Sequence, residues 1–543
     1  MTMPESPARG PREVSLGALL WIGIGAVFVL VRLAGVLSMP VGGAELDALS
    51  GAWQAHEGHT GVRFIPTLFQ GLAAASFAFT SSEMPARFLA LLASASVPFA
   101  LYRLRPRFGE PAMLGALLLL AVDPASILGG STATAFGFDV AVALWLCVLA
   151  EAKQAPRWAH AVAGFFAATS GGIVLPLLVA MAALRLVRQE YPRTGTIAWS
   201  LGGAVIGIAA ASLGFGFGWQ GVTIPPVAAF GAGFDREWST ESTGYLALVY
   251  ASPIIAGALV AVAAQVYRGW RDQGWEASEV SLYAWFGAAM LWLLAAAGAH
   301  DPAPLVAVAI PAALIIGREV PAMVSVFQRV DWQTAILPIA GVGFCLLVIE
   351  AYVEDWARVN RVGDADDQLI VLGVGVAVLA CLGMLFSNRR NAGAILLAPI
   401  TVGALIMLSG ASGVAFGGPN EPMPSPAASV QGDEIRAIVE QAVKDHPGPV
   451  VVHASFESSM TWALRGGPAV TLATAIPADA TAVIWPVTEP APEGYSVVEG
   501  QWSFTQARKG PHGGFLPYLR WLTNRNILKN QPAALAVYLK AQQ

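Results

Sequence analysis

The stretch "LGALLWIGIGAVFVLVRLAGVLS", Leu16–Ser38, decides the class of this protein. It exceeds the ~20 apolar residues that a helix needs to cross a bilayer, and its one charged residue is Arg32. It is too long for a signal-peptide core and has no convincing cleavage site, so it reads as a retained helix. The polar residues before it, 1–15, read as a flexible cytoplasmic N-terminus. Across all 543 residues, 55% are apolar and 12% are charged. Mean hydropathy is +0.59. Soluble domains carry about a quarter charged residues, so the chain reads as a polytopic membrane protein. A net charge of −5 gives no case for a nucleic-acid partner. Cys147, Cys345 and Cys381 all fall inside apolar runs and offer neither a disulfide framework nor metal spacing.

Further apolar runs follow at Met84–Tyr102, Ala112–Leu128, Phe138–Ala152, Trp158–Ser170, Gly172–Val187 and Ile197–Gly218. They continue at Tyr245–Tyr267, Val280–Ala297, Pro304–Gly317, Ala335–Glu354, Leu369–Phe386 and Ala392–Phe416. With the first run, this predicts about thirteen helices over 16–416, some shorter than a full crossing requires. Phe64–Phe79 is also apolar but short, and reads as a helix on the surface or re-entering the membrane.

Basic residues concentrate in cytoplasmic loops. With the N-terminus inside, inner loops hold Arg103, Arg105 and Arg107, then Lys153 and Arg157, Arg185, Arg188 and Arg193, Arg268 and Arg271, Arg318 and Arg329, and Arg389 and Arg390. The outer side keeps only scattered arginines. This alternation predicts a multi-pass protein of the plasma (inner) membrane, with the loop 39–83, Asp139, the loop 219–243 and His300–Pro302 on the outer face.

After Phe416, "GGPNEPMPSPAAS" reads as a linker, 417–430. Residues 431–543 read as a small extracytoplasmic α/β domain. "GDEIRAIVEQAVKD" has helical spacing, "PVVVHASF" and "TAVIWPV" read as buried strands, and "LPYLRWLTNR" as a helix. Its His453, Glu457 and His512 show no catalytic spacing, so the domain reads as an accessory.

The order of pieces carries a resemblance. Arg32 lies late in the first helix, in "LVRLAGV", and an acidic outer loop follows. Next come "SSEMPARFLALLASASVPFALYRLRPRFG", which ends in a basic turn, and "LLLLAVDPASILGGSTATAFGFDVAVALWLCVLAEA". "HDPAPLVAVAIPAALIIG" begins a later helix, and the tail reads "GYSVVEGQWSF…YLRWLTNRNILKNQPAALAVYLK". This set resembles the GT-C superfamily of integral membrane glycosyltransferases. It is most similar to the flippase-activity-associated proteins related to dolichyl-phosphate-mannose protein mannosyltransferases. The resemblance implies that a sugar leaves a polyprenyl-phosphate carrier on the outer face and joins a glycan or protein acceptor, with membrane lipids around the site. It also implies an outer-loop acidic pair. Counting back from Gly58 places Ala44 and Glu45 there, so the first acid is missing. The family's "HGP" stands here as "HTG", His59–Gly61.

Glycosyl transfer needs a base for the acceptor and positive charge for the leaving phosphate. Glu45 is the first candidate base. Asp47 would point elsewhere on a helix and would serve only in a loop. Both could instead simply solvate that loop. Asp139 opens an apolar helix, where a cap and a functional acid are both open readings. Arg32 either snorkels to the outer headgroups or clamps a lipid-linked phosphate, with Arg87 as a second clamp. His59 could join Glu45 and Asp139 around a divalent metal ion. His300 and Asp301 stand at a helix start, as a cap or a substrate contact. Asp123-Pro124 reads as a helix end at the outer surface. Trp21, Trp199, Trp219, Trp238, Trp292 and Trp332 fit an interfacial belt. A catalytically degenerate scaffold or partner subunit is the alternative function, motivated by Ala44. A lipid-sugar flippase ranks third, because no internal repeat and no midplane acid was found.

Overall fold

The computed structural model describes residues 15–39, 41–58, 66–152, 155–188, 194–217, 222–231, 242–271, 277–298, 301–359, 373–383, 396–416, 432–468, 470–477, 479–498, 502–505, 522 and 532–540. Among the described residues, the regular elements of the membrane part are all helices. Its first helices are α1 (Leu16–Ser38), α2 (Gly43–His56), α3 (Leu68–Ser76), α4 (Met84–Ala95), α5 (Val97–Phe108), α6 (Glu110–Val122), α7 (Pro124–Ser131) and α8 (Phe136–Glu151). Then come α9 (Arg157–Thr169), α10 (Leu175–Arg188), α11 (Thr194–Ser212), α12 (Pro225–Gly231), α13 (Thr243–Leu246), α14 (Ser252–Arg271), α15 (Ala277–Ala295), α16 (Ala303–Phe327) and α17 (Trp332–Val359). The last two are α18, residues 373–383, and α19 (Leu397–Phe416). Among the described residues, 7 helices are long and apolar enough to cross a bilayer, or up to 9 if each bent pair is one span.

The thirteen expected runs all contain helix, but two boundaries differ in kind. Ala112–Leu128 is not one rod: α6 and α7 meet at 70° across Asp123-Pro124. The helices of Trp158–Ser170 and Gly172–Val187 are bent by 119° at a short break. The loop 39–83 is also largely helical, since it carries α2 and α3. The helix expected within Phe64–Phe79 is α3.

Helix α16 forms the centre, with 83% of its span buried, and packs against α6, α14 and α15. Close backbone approach between α9 and α11 depends on Gly164 and Gly203. A Cβ on Gly164 would strike the Ser200 carbonyl, and one on Gly203 the Ala161 carbonyl. Small residues serve this purpose where lipid gives no hydrophobic drive between helices. Trp199 and Trp332 are exposed, whereas Trp21 and Trp292 are core residues and so are not part of an interfacial belt. Glu350, passed over in the sequence, stands inside α17 and accepts a hydrogen bond from Ser252 Oγ at 2.7 Å.

The C-terminal domain opens with α20 (Gly432–Asp445), then β1 (Val450–His453), α21 (Glu457–Ala463), β2 (Val470–Ala473) and β3 (Ala482–Pro486). β4 (Tyr495–Val497), β5 (Trp502–Thr505) and β6 (Pro532–Lys540) complete it. Sheet order is β2-β1-β3-β6-β4, with β5 also on β6. β1 pairs in parallel with both β2 and β3, whereas β6 runs antiparallel to β3, with Ile484 opposite Val537. Ile435 and Val439 of α20 and Met460 of α21 cover one face. The β2–β3 connection covers the other with Ile476 and Ala480. The expected helix α20 and strands β1 and β3 are all present. "LPYLRWLTNR" lies outside the described residues except Leu522.

Candidate functional site

Three helix ends and two helix breaks meet at one end of the bundle, and charged side chains hold them. Arg87, near the start of α4, is fully buried, as is Glu45 in the first turn of α2. Arg87 Nε donates to Glu45 Oε1 at 2.7 Å, and Nη2 donates to Oε2 at 2.7 Å. This is a bidentate fork, the strongest geometry for an arginine–carboxylate pair. Arg87 Nη1 also donates to the carbonyls of Val36 (3.0 Å) and Met39 (2.8 Å). Helix C-termini leave their last carbonyls without partners, so Arg87 closes the end of α1 from another helix. Glu45 Oε1 accepts a further hydrogen bond from the Ala133 amide at 2.7 Å. One ion pair thus joins α1, α2, α4 and the turn between α7 and α8.

Arg32 is also buried, which overturns the expectation that it snorkels to headgroups. Its guanidinium lies over the Phe28 ring, 3.3 Å from the centroid. Nη1 donates to the Phe28 carbonyl at 2.9 Å. Nη2 donates to Ser126 Oγ at 2.7 Å and to the Leu120 carbonyl at 2.9 Å. The last contact has a covalent cause. In a continuous helix the Leu120 carbonyl would accept from the amide four residues on. That residue is Pro124, which has no N–H. Arg32 supplies the donor that Pro124 removes. On the far side of the break, Asp123 Oδ2 accepts from the Ser126 amide at 2.7 Å and caps α7. Asp123 therefore ends α6, as expected, and also starts α7, but it is buried rather than at the outer surface.

Asp139 is buried in the first turn of α8, yet it does not cap its own helix. Its Oδ1 accepts from the Gly171 amide at 2.7 Å, inside the α9–α10 break. A Cβ on Gly171 would collide with Asp139 Oδ2, so a glycine is needed for this approach. Asp301 is half-buried just before α16, where its Oδ1 accepts from the Ala303 amide at 2.9 Å. Asp301 lies within electrostatic reach of both Asp139 and Asp47. Burial pushes its carboxyl up to about 6; the Ala303 amide opposes this and Asp47 adds to it. Asp47, on α2, is exposed. The helix does turn it away from Glu45, as the spacing required. Two sets of acids therefore stand at this end: Glu45 locked to Arg87, and Asp47, Asp301 and Asp139 beside it.

The C-terminal domain rests on the same helix. Phe77 contacts the rings of both Trp53 and Trp462, at centroid distances of 5.2 and 5.9 Å. Gln54 Nε2 donates to Thr461 Oγ1 at 3.4 Å. Arg465 Nε donates to the Ser81 carbonyl at 2.7 Å and its guanidinium stacks on Trp462. A second tether is Leu522, packed in the membrane core, whose carbonyl accepts from Ser409 Oγ.

Two solved structures share this architecture over nearly the whole chain. The crystal structure of ArnT from Cupriavidus metallidurans bound to undecaprenyl phosphate superposes with a TM-score of 0.51 at 14% identity, covering 97% of this chain and 99% of that one. The structure of the same protein in the apo state gives 0.50 at 14% identity, with 97% and 100% covered. The fold is ArnT-like. No family model and no curated protein matches the sequence. At 14% identity the likeness shows the fold: a multi-pass helical membrane part with a small C-terminal sheet domain.

Within the ArnT-like fold, the expected site residues part company. Glu45 and Arg87 come together, but onto each other. Arg32 stands apart from them in its own buried network. Asp139, Asp301 and Asp47 form the second group. His59, His300, Trp219 and Trp238 lie outside the described residues. Among the described residues, no group of three or more His, Cys, Asp or Glu is arranged to hold a metal ion. Sequence reasoning missed Ser126, the Ala133 and Gly171 amides and the Leu120 carbonyl. One signal was available: Asp-Pro followed by a small residue and Ser marks an N-cap with proline at the first helical position.

Proposed function

We propose that this chain is a membrane glycosyltransferase that takes a sugar from a polyprenyl-phosphate carrier and passes it to a glycan or protein acceptor at the end of the bundle bearing α2. The observation that carries this reading is the whole-chain likeness to ArnT, whose crystal structure holds undecaprenyl phosphate. The order of Arg32, acidic segment, basic helix end and His300–Pro302 supports a place near the flippase-activity-associated relatives. The basic-loop alternation supports an outer-face site, with the C-terminal domain on that side.

The geometry divides the chemical roles. Glu45 has three hydrogen bonds on its two oxygens and lies out of contact with solvent. A base needs a free lone pair at the reacting proton. In this reading Glu45 and Arg87 shape the site, and Arg32 holds the α6–α7 break. Asp301 takes the acceptor proton, with Asp47 and Asp139 beside it. Its carboxyl, raised to about 6, suits a base working near neutral pH. The occupied state of Glu45 also favours the scaffold reading as an alternative. One experiment separates the two. Purified protein in nanodiscs is titrated with undecaprenyl phosphate and assayed for transfer from polyprenyl-phosphate sugars. Binding with transfer that Asp301→Asn abolishes supports the enzyme. Binding without transfer from any donor supports the scaffold, and no binding removes both.

A further inference from the structure

The C-terminal sheet has a geometry of its own. β1 lies between β2 and β3, all three parallel, so their carboxyl ends share one edge. The chain leaving β1 passes through α21 to β2 on one side. The chain leaving β3 goes the other way, to β4 beyond β6. The β1–β2 and β2–β3 connections lie on opposite faces of the sheet: α21 packs with α20 on one, and the β2–β3 connection covers the other. Open α/β sheets bind ligands where neighbouring carboxyl ends part in this way.

The residues placed there suit a ligand. His453 ends β1, and Trp485 lies at the end of β3 with Glu489 just beyond. The His453 ring stands edge-on to Trp485, with centroids 4.6 Å apart, which fixes its orientation. Its Nδ1 faces Ser455 Oγ at 2.7 Å and accepts from the Ser455 amide at 3.3 Å. That contact caps the short turn Ala454–Phe456 and accounts for one ring nitrogen. It does not account for the other. Nε2 faces Glu489 Oε1 at 3.6 Å, too long for a firm hydrogen bond. Ser455 and Glu489 are exposed, and the His453 side chain keeps 18% of its surface. An exposed carboxylate, an exposed hydroxyl and an imidazole set against the Phe456 and Trp485 rings offer hydrogen-bond acceptors and donors but no net positive charge. That chemistry matches a neutral polyol rather than a phosphate or a carboxylate.

We propose that His453, Ser455 and Glu489, at the parting carboxyl ends of β1 and β3, form a second site that binds neutral sugar hydroxyls. Resting on the glycosyltransferase reading above, it takes the acceptor glycan, in a domain whose α21, the helix after His453 and Ser455, is seated on α2. The test uses the full chain in nanodiscs. Methyl glycosides of mannose, glucose and arabinose are titrated by saturation-transfer NMR and calorimetry, and undecaprenyl phosphate is titrated in the same preparations. At least one glycoside should bind. Hydrogen bonds to a charged group are worth about 10- to 100-fold in affinity, so Glu489→Gln should weaken binding by at least ~10-fold. His453→Asn keeps an oxygen that can cap the turn but has no Nε2, so it should weaken binding while leaving the melting temperature in place. Undecaprenyl phosphate binding should not change in either variant. Absence of glycoside binding in the wild type overturns this proposal, as does full binding by both variants. Loss of undecaprenyl phosphate binding by the wild type counts against the glycosyltransferase reading instead.

Discussion

Replacing Glu45 with Gln should destabilise this protein strongly, and the size follows from its partners. Glu45 is buried and meets Arg87 through two hydrogen bonds of 2.7 Å. In Glu45→Gln one carboxylate oxygen becomes an NH2 group that faces a guanidinium N–H, donor against donor. The Arg87 guanidinium keeps the glutamine oxygen and the carbonyls of Val36 and Met39 but loses the carboxylate charge it was paired with. Removing one partner of a buried ion pair typically costs about 3–5 kcal/mol. At about 2–4 °C per kcal/mol for a mid-sized domain, the melting temperature should fall by roughly 6–20 °C. Thermal unfolding of the purified protein, followed by tryptophan fluorescence, reads the shift. Removing both charges together, as in Glu45→Leu with Arg87→Met, should recover part of the loss, because the desolvated charge is gone. Recovery should be incomplete, since the α1 carbonyls lose their donor. A Glu45→Gln variant that melts within a degree of wild type would refute this account of the pair. Glu45 would then be an accessible acid of the kind that its place in an acidic segment suggested.

Arg32→Met should cost about 1–3 kcal/mol by leaving the Leu120 carbonyl without a donor. Adding Pro124→Ala, which restores the missing amide, should recover part of that cost in the same melting assay. Gly171→Ala should destabilise, because its Cβ meets Asp139 Oδ2; Gly171→Ala with Asp139→Ala should be milder than the sum of the single changes. Asp301 should leave a signature in acid. Its folded carboxyl is raised to about 6, against about 3.9 unfolded, so the folded state keeps a proton that the unfolded chain has lost. Its contribution to stability therefore declines as pH rises between those values and is level above about 6. Asp301→Asn should flatten that part of the stability profile. If Asp301 is the base, wild-type transfer should rise through the same window. Trp462→Ala with Arg465→Ala should loosen the C-terminal domain from α2, seen as faster proteolytic release after the linker.

Much of this protein is legible in its sequence. Leu16–Ser38 and the runs after it specify a polytopic helical membrane protein, because ~20 apolar residues have few other uses. The α/β character of the C-terminal domain shows in the helical spacing of Gly432–Asp445 and the apolar runs around Val450 and Ala482. The list of unusual charges was readable as well: Arg32, Glu45, Arg87, Asp139 and Asp301 all stand at the one end of the bundle. Their pairing was not readable. Glu45 and Arg87 are 42 positions apart, and Arg32 and Leu120 are 88 apart. No local period connects residues so distant. Whether an acid is a free base or a locked partner depends on what is desolvated beside it, and burial is a property of the packed bundle. The sequence by itself determined which residues carry charge in a membrane and that Leu120 has no amide to meet at Pro124 in any continuous helix; Pro311, Pro321 and Pro338 stand inside unbroken helices, so proline alone did not place the break. Only the tertiary structure decided that Arg32 answers that break, that Arg87 occupies Glu45, and that Asp301 and Asp47 remain beside them. In a low-dielectric interior every buried charge must find a partner, and which partner it finds is settled by three-dimensional proximity.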